Sequence, residues 1–364
     1  MLVKNIFPLL ALASIVAASP SRPTPPEKNM RLVKISEDDA GTWVTEDEKF
    51  DKFISKHIHF VDITETWELE ELGAARKIGK RQNSFPSGPT HQSVAAPLIS
   101  ALSTKNLQSW ATTLTNYYNR YYKSTYGTQA GTWMYNTVVS VAASNPLITV
   151  SKFTHSYSQP SVIAKISGTS GSVVVVSAHF DSIGSTISGR APGADDNASG
   201  IVTILEALRV LATAKYKPFN TLEFHFYSGE EGGLLGSRDI MNNYVKNNVD
   251  VLAIMNQDMT GYSPNNVIAI YTDFVSTPLT NFLKTLVPVY TQLPLVTDQC
   301  GYACSDHGSA NSAGFPAAYV CDENMQDASP YIHSAQDTYA TLNFAHILQH
   351  VKFTIGFLVE ASYF

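Results

Sequence analysis

The chain has 364 residues, 44% of them hydrophobic and 15% charged, a balance that excludes wholesale disorder and accommodates one large α/β domain plus an accessory segment. A net charge of -6, with no lysine or arginine cluster interleaved with aromatics, argues against a nucleic-acid partner. Three cysteines are too few for a disulfide framework to hold a fold of this size.

At the start, Lys4 precedes an apolar run from Ile6 to Ala18 ending in Val16-Ala17-Ala18, the charged start, short apolar middle and small-residue end of a signal peptide over 1–19. The run is shorter than the ~20 apolar residues a spanning helix needs, and no later run is longer, so a secreted protein without a membrane partner is expected. The proline-rich SRPTPPEKN reads as a linker. Residues 31–79 then mix short apolar patches (Phe50, Phe53, Ile54, Phe60, Val61, Ile63) with many acids, and Lys80-Arg81 follows, before the turn-prone QNSFPSGP. A dibasic pair in an exposed linker is where a processing protease cuts. We therefore expect a propeptide over 20–81 and a catalytic domain over 82–364.

From Ala95 to Tyr122, Leu98, Leu102, Leu107, Trp110, Leu114, Tyr117, Tyr118 and Tyr121 recur at helical spacing and predict a core-facing helical stretch. Strands and helices then alternate. The uninterrupted Val173-Val174-Val175-Val176 predicts a strand buried on both faces, and residues 198–214 place Ile201, Ile204, Leu205, Leu208 and Leu211 on one helical face. Strands are predicted over Thr221–Tyr227, Val251–Met255, Val267–Tyr271 and Ala317–Cys321, and helices over Leu234–Val245, Leu279–Val289 and Phe344–Val359. This alternation predicts a single α/β domain, a mainly parallel mixed sheet flanked by helices.

In such sheets ligands bind beyond the carboxyl ends of the strands. VVVVSAHFDS ends in His179 and Asp181, and a metal-bound histidine commonly donates its second ring N–H to a carboxylate. APGADDNASG opens a helix with the adjacent acids Asp195 and Asp196; helix capping explains one acid, not both. GEEGGLLGS carries Glu230 and Glu231 between glycines, and one glutamate as metal ligand with the other as general base suits a hydrolytic metal site. VLAIMN leads to Asp258, and YIHSAQDTY supplies His333 and Asp337. Two histidines with three to five carboxylates form a mixed nitrogen and oxygen set suited to zinc. The set exceeds what one four-coordinate zinc needs, which points to two metals about 3.5–4 Å apart under a bridging carboxylate. Cys300 and Cys304 are close enough in sequence to bridge a tight loop, whereas Cys321 reads as a buried thiol.

HFDS, PGADDNASG, SGEEGGLLGS, NQDM, CGYACSDH and IHSAQDTY occur in this order, and from about residue 90 onward the chain resembles the secreted two-zinc leucine aminopeptidases of peptidase family 28, particularly the fungal ones. The resemblance implies that His179 and Asp258 hold one zinc, Glu231 and His333 the other, and that Asp196 bridges them. It gives Glu230 the general-base position, has Asp181 orient His179, and places Tyr302, in the loop closed by Cys300 and Cys304, on the oxyanion. His307 is left as a packed histidine, and Asn197, the acceptor of the sequon Asn197-Ala198-Ser199, is expected to carry no glycan beside the metals. The expected activity is release of N-terminal residues from peptides with a free amine. Met259 and Ile332 suggest a preference for leucine-like first residues. A monomer is expected, with its own propeptide as the other partner. Glutaminyl cyclisation, carboxypeptidase action and a non-catalytic metal-bound module are the rival readings, the last opposed by the intact Glu230.

Overall fold

The computed structural model describes residues 23–79, 84–302 and 304–364. The signal-peptide reading of 1–19 and the Lys80-Arg81 pair fall outside the described residues.

Residues 31–79 build a small layer. Strand β1 (Arg31–Lys34) pairs antiparallel with β2 (Thr42–Val44) on one side and β3 (Val61–Asp62) on the other. Helix α1 (Glu46–Lys52) opens on a capping box: the Thr45 hydroxyl accepts from the Glu48 N–H, and the Glu48 carboxylate accepts from the Thr45 N–H. Helix α2 (Leu69–Gly79) closes the layer.

The larger body runs through α3 (Gln92–Ile99), α4 (Thr104–Asn116), α5 (Thr125–Ala142), β4 (Ile148–Phe153), β5 (Ser161–Ile166), β6 (Ser170–His179), α6 (Gly200–Thr213), β7 (Asn220–Tyr227), α7 (Leu235–Lys246) and β8 (Val251–Gln257). It continues with β9 (Ile268–Tyr271), α8 (Thr277–Tyr290), β10 (Leu295–Asp298), α9 (His307–Ser312), β11 (Ala317–Cys321) and α10 (Phe344–Ala361). Its eight strands form one mixed sheet in the order β10-β9-β11-β8-β6-β7-β5-β4. The pairs β10–β9, β11–β8, β8–β6 and β6–β7 are parallel, and β9–β11, β7–β5 and β5–β4 are antiparallel.

Both faces of the sheet are covered, which explains the unbroken valine run in β6. Val174 and Val176 enter the core shared with α6 and α10, while Val173 and Val175 enter the opposite core with Ile240 and Met241 of α7. Burying each valine contributes on the order of 1.5–3 kcal/mol as an upper figure, so the strand that ends in His179 is firmly held.

The helical stripe expected over Ala95–Tyr122 is two helices, not one. Ser103 is extended and starts α4, and Tyr117 is extended and ends it. Beyond that stop Tyr121 and Tyr122 leave the core of Leu98, Leu107 and Leu114 and pack instead with Val33, Phe50, Ile54 and Phe60 of the N-terminal layer. Helix α5 and strands β4, β5 and β10 were not expected from the sequence.

Candidate metal centre

The strands β8, β6 and β7 are neighbours and run parallel, so their carboxyl ends open on one edge of the sheet. His179 is the last residue of β6, Asp258 directly follows β8, and Glu230 and Glu231 come in the turn after β7. Asp196 arrives in the irregular turn before α6, which Gly193 enters with φ +52°. A Cβ on Gly193 would stand 2.5 Å from both the Asp196 carbonyl oxygen and the Ser182 Cβ, so only glycine fits there. The N–H groups of Asp195 and Asp196 then donate to the two oxygens of Asp337 at 2.9 and 3.0 Å. The peptide bond between Asp196 and Asn197 is cis.

Asp196 turns one oxygen toward each histidine. Its Oδ1 lies 3.2 Å from His179 Nε2, which is 3.3 Å from Asp258 Oδ1, and its Oδ2 lies 3.2 Å from His333 Nε2, which is 3.0 Å from Glu231 Oε2. The donors thus sort into His179, Asp196 and Asp258 on one side and Asp196, Glu231 and His333 on the other, each set with its ligand atoms within 4.8 Å of one another. Buried polar atoms are nearly always hydrogen-bonded, yet both ring nitrogens of His179 and Asp258 Oδ1 are buried without such a partner. These orphaned atoms in the first set, and the sharing of Asp196 by two sets of imidazole and carboxylate donors, fit a pair of zinc ions.

The surrounding bonds fix these donors. Asp181 accepts from the Glu230 and Glu231 N–H groups at 3.1 and 3.2 Å, and its Oδ1 lies 3.5 Å from His179 Nδ1, so it holds the glutamate turn at least as firmly as it orients the histidine. Ser305 Oγ donates to Asp258 Oδ2 at 2.5 Å and accepts from Asn256 Nδ2 at 2.8 Å. Asp195 turns away from the histidines and accepts from the N–H groups of Gly261 and Tyr262 at 2.9 and 3.0 Å. The Asn197 side chain is buried, donating to the Gln257 carbonyl and accepting from the Gly200 and Met259 N–H groups, so the folded chain offers no amide for a glycan. Asp337, a candidate carboxylate from the sequence, stands in neither donor set and instead holds the Asp195 and Asp196 N–H groups, and Ser305 is a residue that the sequence did not single out.

The centre carries an excess of buried acid. Burial pushes Asp322 up to about 7 and Asp337 up to about 6, and Asp195 rises through burial and the nearby charges of Asp322 and Asp337. Glu230 also rises through burial, reinforced by Glu231, Asp306 and Asp258 and opposed by His179. Cations held among these carboxylates would offset that repulsion.

Glu230, Met259 and Ile332 line one cleft of about 600 Å³ together with the donors Asp196, Glu231, Asp258 and His333. Tyr302 does not point into it: its hydroxyl donates to Glu70 Oε1 of α2 at 3.3 Å. His307 is buried and stacks on Tyr319 with ring centres 4.7 Å apart, outside both donor sets. Cys300 and Cys304 are joined with their Cα atoms 6.0 Å apart, and Cys321 is a buried free thiol. The N-terminal layer reaches the same cleft. Ile54, His57, Ile58, His59 and Phe60 line it, and the His57 ring stacks on His333 at 5.4 Å.

The model of "Peptidase family M28" matches residues 161–358. "Leucine aminopeptidase 1" of Ajellomyces dermatitidis is 43% identical over 336 residues, covering 88% of this chain and 86% of that protein. The protein of the same name from Leptosphaeria maculans is 40% identical, covering 94% of this chain and 91% of its own length. Among solved structures, the LapA aminopeptidase of Legionella pneumophila superposes with a TM-score of 0.79 at 26% identity, covering 91% of this chain and 93% of that one. With the donor sets, the sheet and these likenesses in agreement, the chain belongs to peptidase family M28.

Proposed function

We infer that the protein is a zinc aminopeptidase of the leucyl type that hydrolyses the first peptide bond of substrates with a free N-terminus. The observation that carries this reading is Asp196, one oxygen facing each histidine and carboxylate pair, beside a cleft that also holds Glu230. His179, Asp196 and Asp258 would hold one zinc, and Asp196, Glu231 and His333 the other. Bound there, zinc makes water a nucleophile at neutral pH and polarises the scissile carbonyl.

The chain's own residues do the rest. Glu230, in neither donor set, takes the proton from the attacking water and returns it to the departing amine. Asp258 receives the free amine of the substrate, and Met259 and Ile332 flank its first side chain with apolar surface, in keeping with the names of the fungal relatives. Tyr302 takes up the oxyanion only when its hydroxyl has left Glu70. The test is metal stoichiometry and turnover of the processed form. Two zincs per chain are expected, with hydrolysis of leucine anilide but not of its N-acetylated form and no cyclisation of an N-terminal glutamine peptide. One zinc or none, or equal cleavage of the blocked substrate, overturns the reading.

The same reading extends to the N-terminal part: a signal peptide over 1–19, a propeptide over 20–81 and a secreted mature domain over 82–364. Its support is the position of Ile54 to Phe60 in the cleft, together with the leader-like composition of the start. Among the described residues no helix is long and apolar enough to cross a membrane. Intact chain should turn over leucine anilide far more slowly than chain cut after Arg81, and equal rates would remove the inhibitory role.

A further inference from the structure

Arg120 lies outside every motif above and outside the segment that the family model matches, in the connection between α4 and α5. Its side chain is fully buried. Among the described residues its guanidinium bonds only to backbone carbonyls, not to a carboxylate. Nε donates to Phe180 at 2.7 Å, Nη1 to Leu114 at 3.1 Å and to Pro192, and Nη2 to Gly193 at 2.8 Å. Phe180 is the residue between His179 and Asp181, and Pro192 and Gly193 lead into Asp195 and Asp196. The fork therefore ties the backbone that ends β6 to the backbone that delivers the shared aspartate.

Its neighbours reinforce that junction. The Arg120 N–H donates to Ser182 Oγ at 3.0 Å, and Ser182 in turn donates to the Ala191 carbonyl at 2.8 Å. Asn119 Nδ2 donates to the Gly189 carbonyl at 3.0 Å, and the Ala191 N–H to the Tyr118 carbonyl at 2.8 Å. A buried guanidinium without a carboxylate partner is costly unless the local field favours it. Here the nearby charges of Asp337, Asp181, Asp196 and Glu231 do so: burial brings Arg120 down only to about 10, and it stays charged at neutrality.

We propose that Arg120 is a positioning residue for the metal centre, clamping the His179 and Asp196 segments to each other and setting one buried positive charge beneath the carboxylates. A lysine keeps the charge but has a single nitrogen and cannot span carbonyls on three separate stretches. A glutamine loses both charge and fork. The inference rests on the proposed two-zinc reading.

The test uses intact chain stripped of metal and titrated with zinc against a chromophoric chelator. Arg120→Lys and Arg120→Gln should weaken the tighter or the looser zinc by about 10–100-fold, the range for residues that hold ligands in place. After processing, both should lose kcat at limiting zinc, regain it with excess zinc and keep KM. Val138→Ala, a core change in α5, should lower the melting temperature of the zinc-free chain yet leave zinc affinity alone. The proposal is overturned if folded Arg120 variants bind zinc as tightly as wild type, or if Val138→Ala weakens zinc equally. Should the Arg120 variants fail to fold, Ser182→Ala decides, weaker zinc supporting the clamp and unchanged zinc overturning it. Wild type that takes up no zinc would sink the two-zinc reading itself. Two zincs in wild type with unchanged affinity in the variants would sink only the clamp.

Discussion

Glu230 and Glu231 are tied to the same anchor, since both N–H groups donate to Asp181, yet they serve different ends. Glu231 Oε2 lies 3.0 Å from His333 Nε2, whereas Glu230 belongs to neither donor set and lines the cleft. Glu230→Gln should therefore leave both zincs bound and lower kcat by about 10²–10⁴-fold, the usual worth of a positioned general base. Zinc analysis beside steady-state rates checks it, and a variant with two zincs and near-normal kcat would remove Glu230 from that role. Adjacent acids are the point at which sequence alone stops. Asp195 and Asp196 are equivalent as letters, and only the backbone turn at Gly193 sends one toward the histidines and the other toward Gly261 and Tyr262. Tyr302 shows another limit. Its loop motif is legible, but its partner Glu70 is 232 residues away, and no local pattern marks that contact.

Among the elements, those that end at the centre were the legible ones. Strands β6 and β8 are buried on both faces and read as apolar runs, β7 alternates Leu222, Phe224 and Phe226 with Glu223 and His225, and α6 and α10 carry wide apolar faces. Strands β4 and β10 are short and half-exposed at the sheet edges, so the alternation in Ile148-Thr149-Val150-Ser151 and the two apolar residues of β10 are too brief to stand out in the sequence. Helix α1 is the element whose role sequence conceals most. Its Lys49, with no side-chain exposure, donates to the Gly232 carbonyl at 3.0 Å, directly beside the Glu230–Glu231 turn, and lies 2.9 Å from Glu46 and 3.4 Å from Asp62. The Asp62 N–H donates to the next carbonyl, Gly233, at 3.0 Å. Lys49→Met leaves the Gly232 carbonyl without this donor and removes one of two cations from Asp62, which keeps Arg31, a loss of about 1–3 kcal/mol for an unmade buried hydrogen bond. Intact Lys49→Met chain should hydrolyse leucine anilide faster than intact wild type while the cut forms match. Equal intact rates would mean that Lys49 does not hold the layer down.

For the molecule as a whole, the N-terminal layer meets the larger body across a charged seam, and that seam sets a pH dependence. Glu46 faces Lys123 of the larger body at 2.7 Å and Lys49 of its own helix at 2.9 Å, and Asp62, paired within the layer to Arg31 at 2.7 Å, is buried where its N–H meets the Gly233 carbonyl. The hydroxyls of Tyr121 and Tyr122 donate to Glu46 as well. Burial alone would raise the Glu46 carboxyl, but Lys49 and Lys123 outweigh it and hold the group far below its ordinary 4.5. Asp62, fully buried against Lys49 and Arg31, is likewise held below its ordinary 3.8. Both groups have a folded pKa beneath the unfolded one, so their contribution is complete above the unfolded values and drains away as pH falls toward the folded ones. Glu46 and Asp62 should accordingly leave docking insensitive to pH at and above about 5 and weaken it progressively below about 4.5. His57 and His59, held below their ordinary 6.5 by burial and by His333, take up protons more readily in the undocked layer and weaken docking already as pH falls through about 6.5. Hydrogen exchange of backbone amides in residues 31–62 of the intact chain, followed from neutrality into acid, measures this directly. Exchange that shows no further acceleration below pH 4.5 would place the acid limb of undocking in groups other than Glu46 and Asp62.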